Sequence, residues 1–484
     1  MQAQSAVPAA MALGSMTAGA AFAVQSILPP STTTPGVSAP TAHQSSPAAA
    51  HGAQGMAGQG AALGLFGAAC VGASMSRRAA KKSSKAAKRT QVKATMQEDY
   101  DFVGVCDQTG VTLNRYMLEM YRKGAVDEDM QSIFNSIREA CKVIANLVNR
   151  APLRQAELLG LQGEVNVQGE DQKKLDVITN DVLKKALQYT GKLGTIASEE
   201  EDAPVPGETG VPDLGNEAIM SETGKYVCVF DPLDGSSNVD AGIAVGTIFG
   251  VFKESEDNEC VIPSSVEDLS DAEAACLAQT LQPGKALVAA GYVLYSSSVE
   301  LVFTLGSGVV GFTLDESIGE FVLSRPSIVI PERGQPIYSA NEANISEWDE
   351  PMRQYIRDIQ QGKGETGKKY SLRYIGSMVG DVHRTLLYGG LFAYPADSKN
   401  QDGKLRLLYE AAPMSFIVEQ AGGKSITGHS RVMDIPPVAV HQRVPIILGS
   451  KADVEECQKY YEKSDDPALK ERCMKRLNPV PEMA

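Results

Sequence analysis

The first 97 residues contain neither aspartate nor glutamate, although the whole chain of 484 residues carries 59 acids. The same stretch holds eight Lys/Arg, from Arg77 to Lys93, in a background of Ala, Ser, Thr, Gly and Met. That is the composition of an organelle transit leader, so residues 1–97 are set apart from fold reasoning. Two mildly apolar stretches, 18–29 and 60–74, the second followed by Arg77-Arg78, suggest a bipartite leader of the kind that reaches plastids through the secretory system. A disordered cytosolic tail is the other reading. No run of 18 strongly apolar residues occurs, so no membrane-spanning helix is expected. The eight leader cations take the remainder from a net charge of −14 to −22, which argues against nucleic acid or an anionic membrane as partner. Eight cysteines are present, none in a CxxC pair or beside histidine at zinc-type spacing. A thioredoxin-like centre and structural zinc are therefore not indicated. No internal repeat is found.

What is present suits a globular enzyme-sized body, with 43% apolar residues to build a core. Met130, Ile133, Phe134, Ile137, Cys141, Ile144, Leu147 and Val148 recur at intervals of three and four, which predicts an amphipathic helix. Asp127, Glu128 and Asp129 sit at its positive end. A second helix is predicted over 181–189, with Gly191 as its stop. The apolar run 226–230 predicts a buried strand ending at Asp231-Pro232. Further strands are predicted over 243–252, 286–295, 299–305, 309–314 and 321–323, mostly with short turns, a meander rather than a βαβ alternation. Helices are predicted over 347–361, 377–388 and 405–420, the last stopped by Gly422-Gly423. The acidic stretch 253–271, with Cys260 inside it and Cys276 beyond, reads as a solvated loop.

One string concentrates chemistry: Phe-Asp-Pro-Leu-Asp-Gly-Ser-Ser-Asn-Val-Asp over residues 230–240. Hard divalent cations take oxygen ligands and share carboxylates with substrate phosphate. Asp231 and Asp234, fixed by Pro232 in a turn at a strand end, are placed to serve such ions. Gly235 permits close backbone approach, and Ser236-Ser237 can open a helix whose free N–H groups hold phosphate. An ordinary Asx-Pro turn followed by a helix cap remains the alternative for a bare Asp-Pro-x-Asp.

The extended string resembles the central motif of the metal-dependent, lithium-sensitive sugar phosphatase superfamily, in the form found in the fructose-1,6-bisphosphatase family. The same order of motifs continues on both sides. Gly169-Glu-Asp-Gln-Lys-Lys-Leu-Asp176 and Ser198-Glu199-Glu200 lie upstream. Asn341-Glu342, Arg373-Tyr-Ile-Gly-Ser-Met, His383-Arg-Thr-Leu-Leu-Tyr-Gly-Gly390 and Gly403-Lys-Leu-Arg-Leu-Leu-Tyr-Glu410 lie downstream. The resemblance covers roughly residues 101–462. It implies an α/β (α+β) fold of layered α-β-α-β-α type with two sheets, an N-terminal half over 98–310, a C-terminal half over 311–462 and a tail over 463–484.

The resemblance also implies roles. Glu199, Asp231, Asp234 and Glu410 would hold the metal, with the Leu233 carbonyl as an added ligand, while Glu200, Asp176 and Glu170 would orient and deprotonate the attacking water. Gly235 and Ser236 would hold the reacting phosphate. Asn341, Arg373, Tyr374 and Tyr394 would grip the 6-phosphate, with Arg373 reaching across from a neighbouring subunit of a homotetramer, and Lys404 would contact the sugar and its phosphate. The implied metal is Mg²⁺, about two or three ions per site, with Mn²⁺ as a substitute. The implied reaction is removal of the 1-phosphate of fructose 1,6-bisphosphate in the plastid stroma, for carbon fixation or starch synthesis, with no membrane contact in the mature form. His383 lies in a helical segment among Val382, Leu386 and Leu387 and is expected to be structural.

Two regulatory expectations follow from the resemblance. Family members inhibited by AMP grip its phosphate with a Gly- and Thr-rich turn, where this chain has Val126-Asp127-Glu128-Asp129; the acids would repel it, so no micromolar AMP inhibition is expected. Cys260 and Cys276 bracket an acidic insertion within 253–281, where plastid-type members carry a redox loop, and imply a disulfide reduced by thioredoxin. Two free thiols in a loop are the alternative. A sedoheptulose-1,7-bisphosphatase or dual-substrate enzyme, an inositol monophosphatase and a catalytically silent regulatory subunit are the competing functions. Asn238, Asn341 and the Arg373-Tyr374 context favour the fructose enzyme, and the longer chain and the Asp-Pro-Leu-Asp-Gly-Ser core disfavour the inositol enzyme. All four metal carboxylates are present, against the silent subunit.

Overall fold

The computed structural model describes residues 110–165, 171–201, 203–206, 224–254 and 276–478. Glu170, Cys260, the leader and most of the loop over 253–281 lie outside these residues.

The described residues begin with two helices, α1 (Leu113–Arg122) and α2 (Glu128–Arg150). The predicted periodicity is realised in α2, whose buried face runs Met130, Ile133, Phe134, Ile137, Cys141 and Ile144. Asp127 is its N-cap and accepts a hydrogen bond from Met130 N at 2.9 Å. A ribbon of β1 (Leu161–Val165) and β2 (Asp171–Lys173) leads into α3 (Lys174–Gln188). That helix starts seven residues before the predicted one. Its first two turns bury Leu175, Asp176, Thr179 and Asn180, a half-polar face that an apolar periodicity does not reveal.

Strands β3 (Leu193–Ser198), β4 (Val205–Pro206), β5 (Tyr226–Asp234), β6 (Val245–Lys253), β7 (Ala289–Tyr295), β8 (Val299–Thr304), β9 (Val310–Asp315) and β10 (Glu320–Arg325) form one sheet in the order β10-β9-β8-β7-β6-β5-β3-β4. From β5 to β10 the strands follow one another antiparallel, the predicted meander; the β3–β5 pair is parallel. The second sheet has the order β12-β11-β13-β17-β15, from β11 (Ile337–Ser339), β12 (Ser371–Leu372), β13 (Leu391–Tyr394), β15 (Lys424–Ile426) and β17 (Ile446–Gly449). A separate ribbon pairs β14 (Leu405–Arg406) with β16 (Arg443–Val444). The other α-helices of more than four residues among the described residues are α4 (Glu350–Gln361), α5 (Met378–Tyr388), α6 (Ala412–Gln420), α7 (Lys451–Glu462) and α8 (Pro467–Leu477).

Strand alternation distributes these elements into layers. On β5, Cys228 and Phe230 face a core shared with α1, α2 and α3, whereas Val227 and Val229 face a core shared with α5 and α6. That second core also takes Phe392, Ile446 and Leu448 from the second sheet, whose other side packs Leu391, Ala393 and Ile447 on α4 and α7. The sequence of layers is helices, eight-stranded sheet, helices, five-stranded sheet, helices: the expected α-β-α-β-α arrangement. Each sheet is covered on both faces, which is why its strands read as unbroken apolar runs.

Candidate active site

Two local departures from the predicted elements build the site. β5 does not stop at Asp231; it runs on to Asp234. Asp231 lies opposite Ile248 and Asp234 opposite Gly246, so three steps along β5 match two along β6. In a regular strand, residues three apart point to opposite faces; the one-residue bulge cancels the alternation and turns both carboxylates to one side. The Asp231 carboxylate accepts from Leu233 N at 2.9 Å, closing an Asx turn around Pro232, whose carbonyl accepts from Thr247 Oγ1 at 2.8 Å. Gly235 follows at φ +75°, and Ser236–Ala241 form a short 3-10 helix.

The predicted helix over 405–420 is likewise corrected. Leu405–Arg406 are extended, Leu407–Ala411 form a π-helical turn and α6 begins only at Ala412. Pro413 lacks the N–H that a helix continuing from 405 would require there. The wide turn buries Glu410 and presents its Oε2 to Arg406 N at 2.5 Å.

Asp231, Asp234 and Glu410 meet. They are 2%, 8% and 3% exposed, and each offers an oxygen within 4.8 Å of the others, the only such group of three among the described residues. Burial drives the Asp231 carboxyl well above its ordinary value, reinforced by Glu199, Asp234 and Glu410. Burial also pushes Asp234 up to about 7, with Glu199 adding to it, even though Val379 N donates to its Oδ2 at 3.0 Å. A protein gathers carboxylates at this cost where a cation is to neutralise them, and an all-oxygen donor set fits a hard divalent ion. Glu199 lies at the same place, its Oε1 3.4 Å from Arg406 Nη1.

These groups line a cavity of ≈ 350 Å³ together with Asp176, Glu200, Leu233, Gly235, Ser236, Asn341, Tyr374, Tyr394 and Lys404. Thus the structure brings together every sequence-predicted site residue except three kinds. Glu170 and Cys260 lie outside the described residues. Arg373 is exposed, donates from Nη1 to Leu372 O at 2.9 Å and does not line the cavity. Cys276 is buried and disulfide-bonded, its partner lying outside the described residues. Two larger cavities, of ≈ 480 and ≈ 1440 Å³, contain no comparable carboxylate cluster among the described residues.

Asp176 has the features of a proton acceptor. Its Oδ2 accepts from Lys173 N at 3.1 Å and Ser236 Oγ at 3.3 Å, while Oδ1 is buried without a hydrogen-bond partner among the described residues. Burial raises its carboxyl above the usual range, toward the pH at which a general base operates. His383 is structural, as expected: it is not on the cavity wall, its Nδ1 lies 2.8 Å from the Tyr292 hydroxyl of β7, and burial pushes it down to about 4.

Sequence reasoning missed several supporting residues. Lys173 Nζ donates to Asp240 Oδ2 at 2.6 Å and Ser237 O at 3.4 Å, tying α3 to the 3-10 helix. Asp381, fully buried, accepts from Ile375 N and Gly376 N and shapes the loop that carries Tyr374. His441 bridges distant segments: Nε2 lies 3.0 Å from Glu201 O and Nδ1 2.8 Å from the Tyr409 hydroxyl. A carbonyl oxygen only accepts, so in the neutral ring Nε2 carries the proton and Nδ1 accepts from Tyr409. Lys173 and Arg406 stood inside motifs already singled out; His441 had no such signal.

Family models described as fructose-1-6-bisphosphatase, N-terminal domain, and fructose-1-6-bisphosphatase, C-terminal domain, match residues 111–326 and 330–462. The chain is 53% identical over 351 residues to fructose-1,6-bisphosphatase 1, chloroplastic, of Arabidopsis thaliana, covering 72% of this chain and 80% of that protein. To the chloroplastic fructose-1,6-bisphosphatase of Spinacia oleracea it is 49% identical over 374 residues, covering 77% and 84%. The crystal structure of Leishmania major fructose-1,6-bisphosphatase in holo form superposes with a TM-score of 0.64 at 40% identity, over 74% of this chain and 100% of that one. Since the two matched domains span both sheets and every described residue of the cavity wall, the chain belongs to the fructose-1,6-bisphosphatase family.

Proposed function

We propose that the protein hydrolyses the 1-phosphate of fructose 1,6-bisphosphate to fructose 6-phosphate and phosphate in plastid carbon fixation, using Mg²⁺. The observation that carries this reading is the convergence of Asp231, Asp234 and Glu410 within 4.8 Å beside Asp176 and Lys404 in one cavity. Glu199, Asp231, Asp234, Glu410 and the Leu233 carbonyl would hold the ions, about two or three per site, with Mn²⁺ as a substitute. Bound there, the metal supplies Lewis acidity and neutralises charge on the phosphoryl group. Asp176, with Glu200 and Glu170, orients the water and takes its proton. Backbone donors at Gly235 and Ser236 hold the reacting phosphate. Asn341, Tyr374 and Tyr394 receive the 6-phosphate at the other end, and Arg373, outside the cavity of its own subunit, reaches a neighbour's site in a homotetramer. Phosphate release from fructose 1,6-bisphosphate and sedoheptulose 1,7-bisphosphate with Mg²⁺ tests the reading; preference for the seven-carbon substrate would move the assignment.

AMP does not act on this protein at micromolar concentration. Both Asp127 oxygens are engaged at the start of α2, Oδ1 by Met130 N and Oδ2 by the Tyr226 hydroxyl at 2.8 Å. Asp129 beside it pairs with Lys192 and Lys225 at 3.1 and 3.0 Å. A phosphate arriving there meets a carboxylate already occupying the helix end, and the nearby lysines are committed. Flat activity from zero to about 0.1 mM AMP, roughly 100-fold above a micromolar level, is the expected titration.

Redox control acts through Cys276, with Cys260 its partner and thioredoxin its reductant. The thioredoxin dithiol gives two electrons and two protons to the bond, leaving two thiols here and a disulfide on thioredoxin.

A further inference from the structure

Past residue 462, where the family match ends, the chain forms α8, an element that the reaction has not used. Asp466 caps it, accepting from Ala468 N at 2.9 Å. Leu469 is buried, Leu477 packs on the central core, and Cys473 Sγ lies 2.9 Å from Ser430 Oγ. Near its end, Arg476 turns into the protein. Its side chain is 13% exposed, and Nη2 donates to Gln401 O at 2.6 Å and stands 3.6 Å from Asp402 Oδ1.

Gln401 and Asp402 are the apex of a turn that ends at the cavity. The Asp397 carboxylate accepts from Lys399 N and Asn400 N at 2.9 and 2.6 Å, and Gly403 N donates to Asn400 O at 2.9 Å. Gly403 has φ +78°, and a Cβ there would lie 2.4 Å from Pro445 N, so only glycine lets the chain pass this close to Pro445. The next residue is Lys404 on the cavity wall, followed by β14 paired to β16. Lys404 is therefore held from behind by strand pairing and from the front by the turn that Arg476 grips. A cation buried to this degree needs a fixed partner, which makes the docking of α8 on this turn specific.

We propose that α8 is a brace for the substrate-binding turn and that Arg476 is a positioning residue, setting the reach of Lys404 toward the sugar phosphate. The proposal rests on Lys404 contacting substrate. Because Arg476 touches neither the metal carboxylates nor Asp176, its loss acts on substrate binding rather than on the chemical step.

Arg476→Ala in the full chain is expected to raise KM for fructose 1,6-bisphosphate about three- to tenfold, the factor for the net contribution of one ordinary hydrogen bond. It should leave kcat and the Mg²⁺ concentration for half-activation unchanged, and Arg476→Lys should restore part of the KM. Truncation after Ser464 should give the same KM shift. Amide hydrogen exchange over residues 398–404 should quicken in the alanine variant, a readout independent of activity. Unchanged KM with unchanged exchange overturns the brace, as does a lowered melting temperature with KM intact. If the wild-type chain releases no phosphate from fructose 1,6-bisphosphate, the substrate reading fails, and exchange at 398–404 alone then decides the brace.

Discussion

At the scale of single residues, the site trades stability for function. Asp231 and Asp234 are buried beside Glu410 and Glu199, and both are held above the ordinary carboxylate range, Asp234 at about 7. A carboxyl whose folded value exceeds its unfolded one stabilises fully below pH 4, and loses that contribution as pH rises through the folded value. The metal-free protein should therefore lose melting temperature from this pair as pH climbs from 4 through about 7, and the increase produced by Mg²⁺ should be greater at pH 8 than at pH 6. Asp231→Asn keeps an acceptor for Leu233 N but removes one charge. It should raise the melting temperature of the metal-free protein at pH 8, abolish the Mg²⁺ shift and cut activity by at least about 10²–10³-fold, the scale for losing one electrostatic group at a reacting centre. Equal phosphate release by the variant would sink the assignment. His383 works with the opposite sign. Burial holds it at about 4, below its unfolded value of 6.5, so its contribution is complete above pH 6.5 and lost as pH falls toward 4. The melting profile of His383→Gln, which keeps an acceptor for Tyr292, should be flatter over that window, by up to about 3 kcal/mol.

At the scale of elements, two irregularities hold the carboxylates in place: the β5 bulge and the π-turn over Leu407–Ala411. His441 couples the segment after β3 to that turn, through Glu201 O and Tyr409. His441→Ala should free the Glu199–Glu201 segment from the Glu410 turn and weaken Mg²⁺ binding about tenfold, the range for residues that orient metal ligands. Calorimetric titration of Mg²⁺ without substrate reads this directly. These irregularities also mark the limit of what the sequence discloses. The helix α2 was legible because one apolar period of about 3.6 persists along it, and strands β5 to β10 because they are short apolar runs bounded by turns. The bulge was not, because it is defined by pairing with Ile248 and Gly246 on another strand. The break before α6 had a signal in Pro413 that the apolar pattern of 405–420 concealed. Strands β11, β13, β15 and β17, three or four residues each, are too short for periodicity to register. The candidate site was located from ordered motifs, so the residues absent from a motif, such as His441, were the ones that only contact distances show.

At the scale of the whole molecule, the proposed redox control would have a mechanical route to the candidate metal site. β6 pairs with β5 from Tyr226 opposite Lys253 at one end to Asp234 opposite Gly246 at the other. β6 ends at Lys253, and Cys276, buried and disulfide-bonded, is where the described chain resumes. Were the proposed disulfide to close a loop there, the restraint on that end of the strand would pass along its ladder, since packed interiors shift between discrete arrangements rather than deform freely. β7 and β5, on either side of β6, are both fully buried, and the β5 side leads to the bulge that aims Asp231 and Asp234. On this reading the oxidised protein binds Mg²⁺ more weakly, and reduction restores affinity before it changes any contact to the sugar. Reduced thioredoxin should lower the Mg²⁺ concentration for half-activation and leave KM for fructose 1,6-bisphosphate nearly unchanged. Cys260→Ser and Cys276→Ser should each behave as the reduced enzyme under oxidising conditions, whereas Cys473→Ser should respond like wild type. Equal oxidative sensitivity in Cys260→Ser would show that the switch resides in another thiol, and a shift in KM alone would place its action at the sugar end of the cavity.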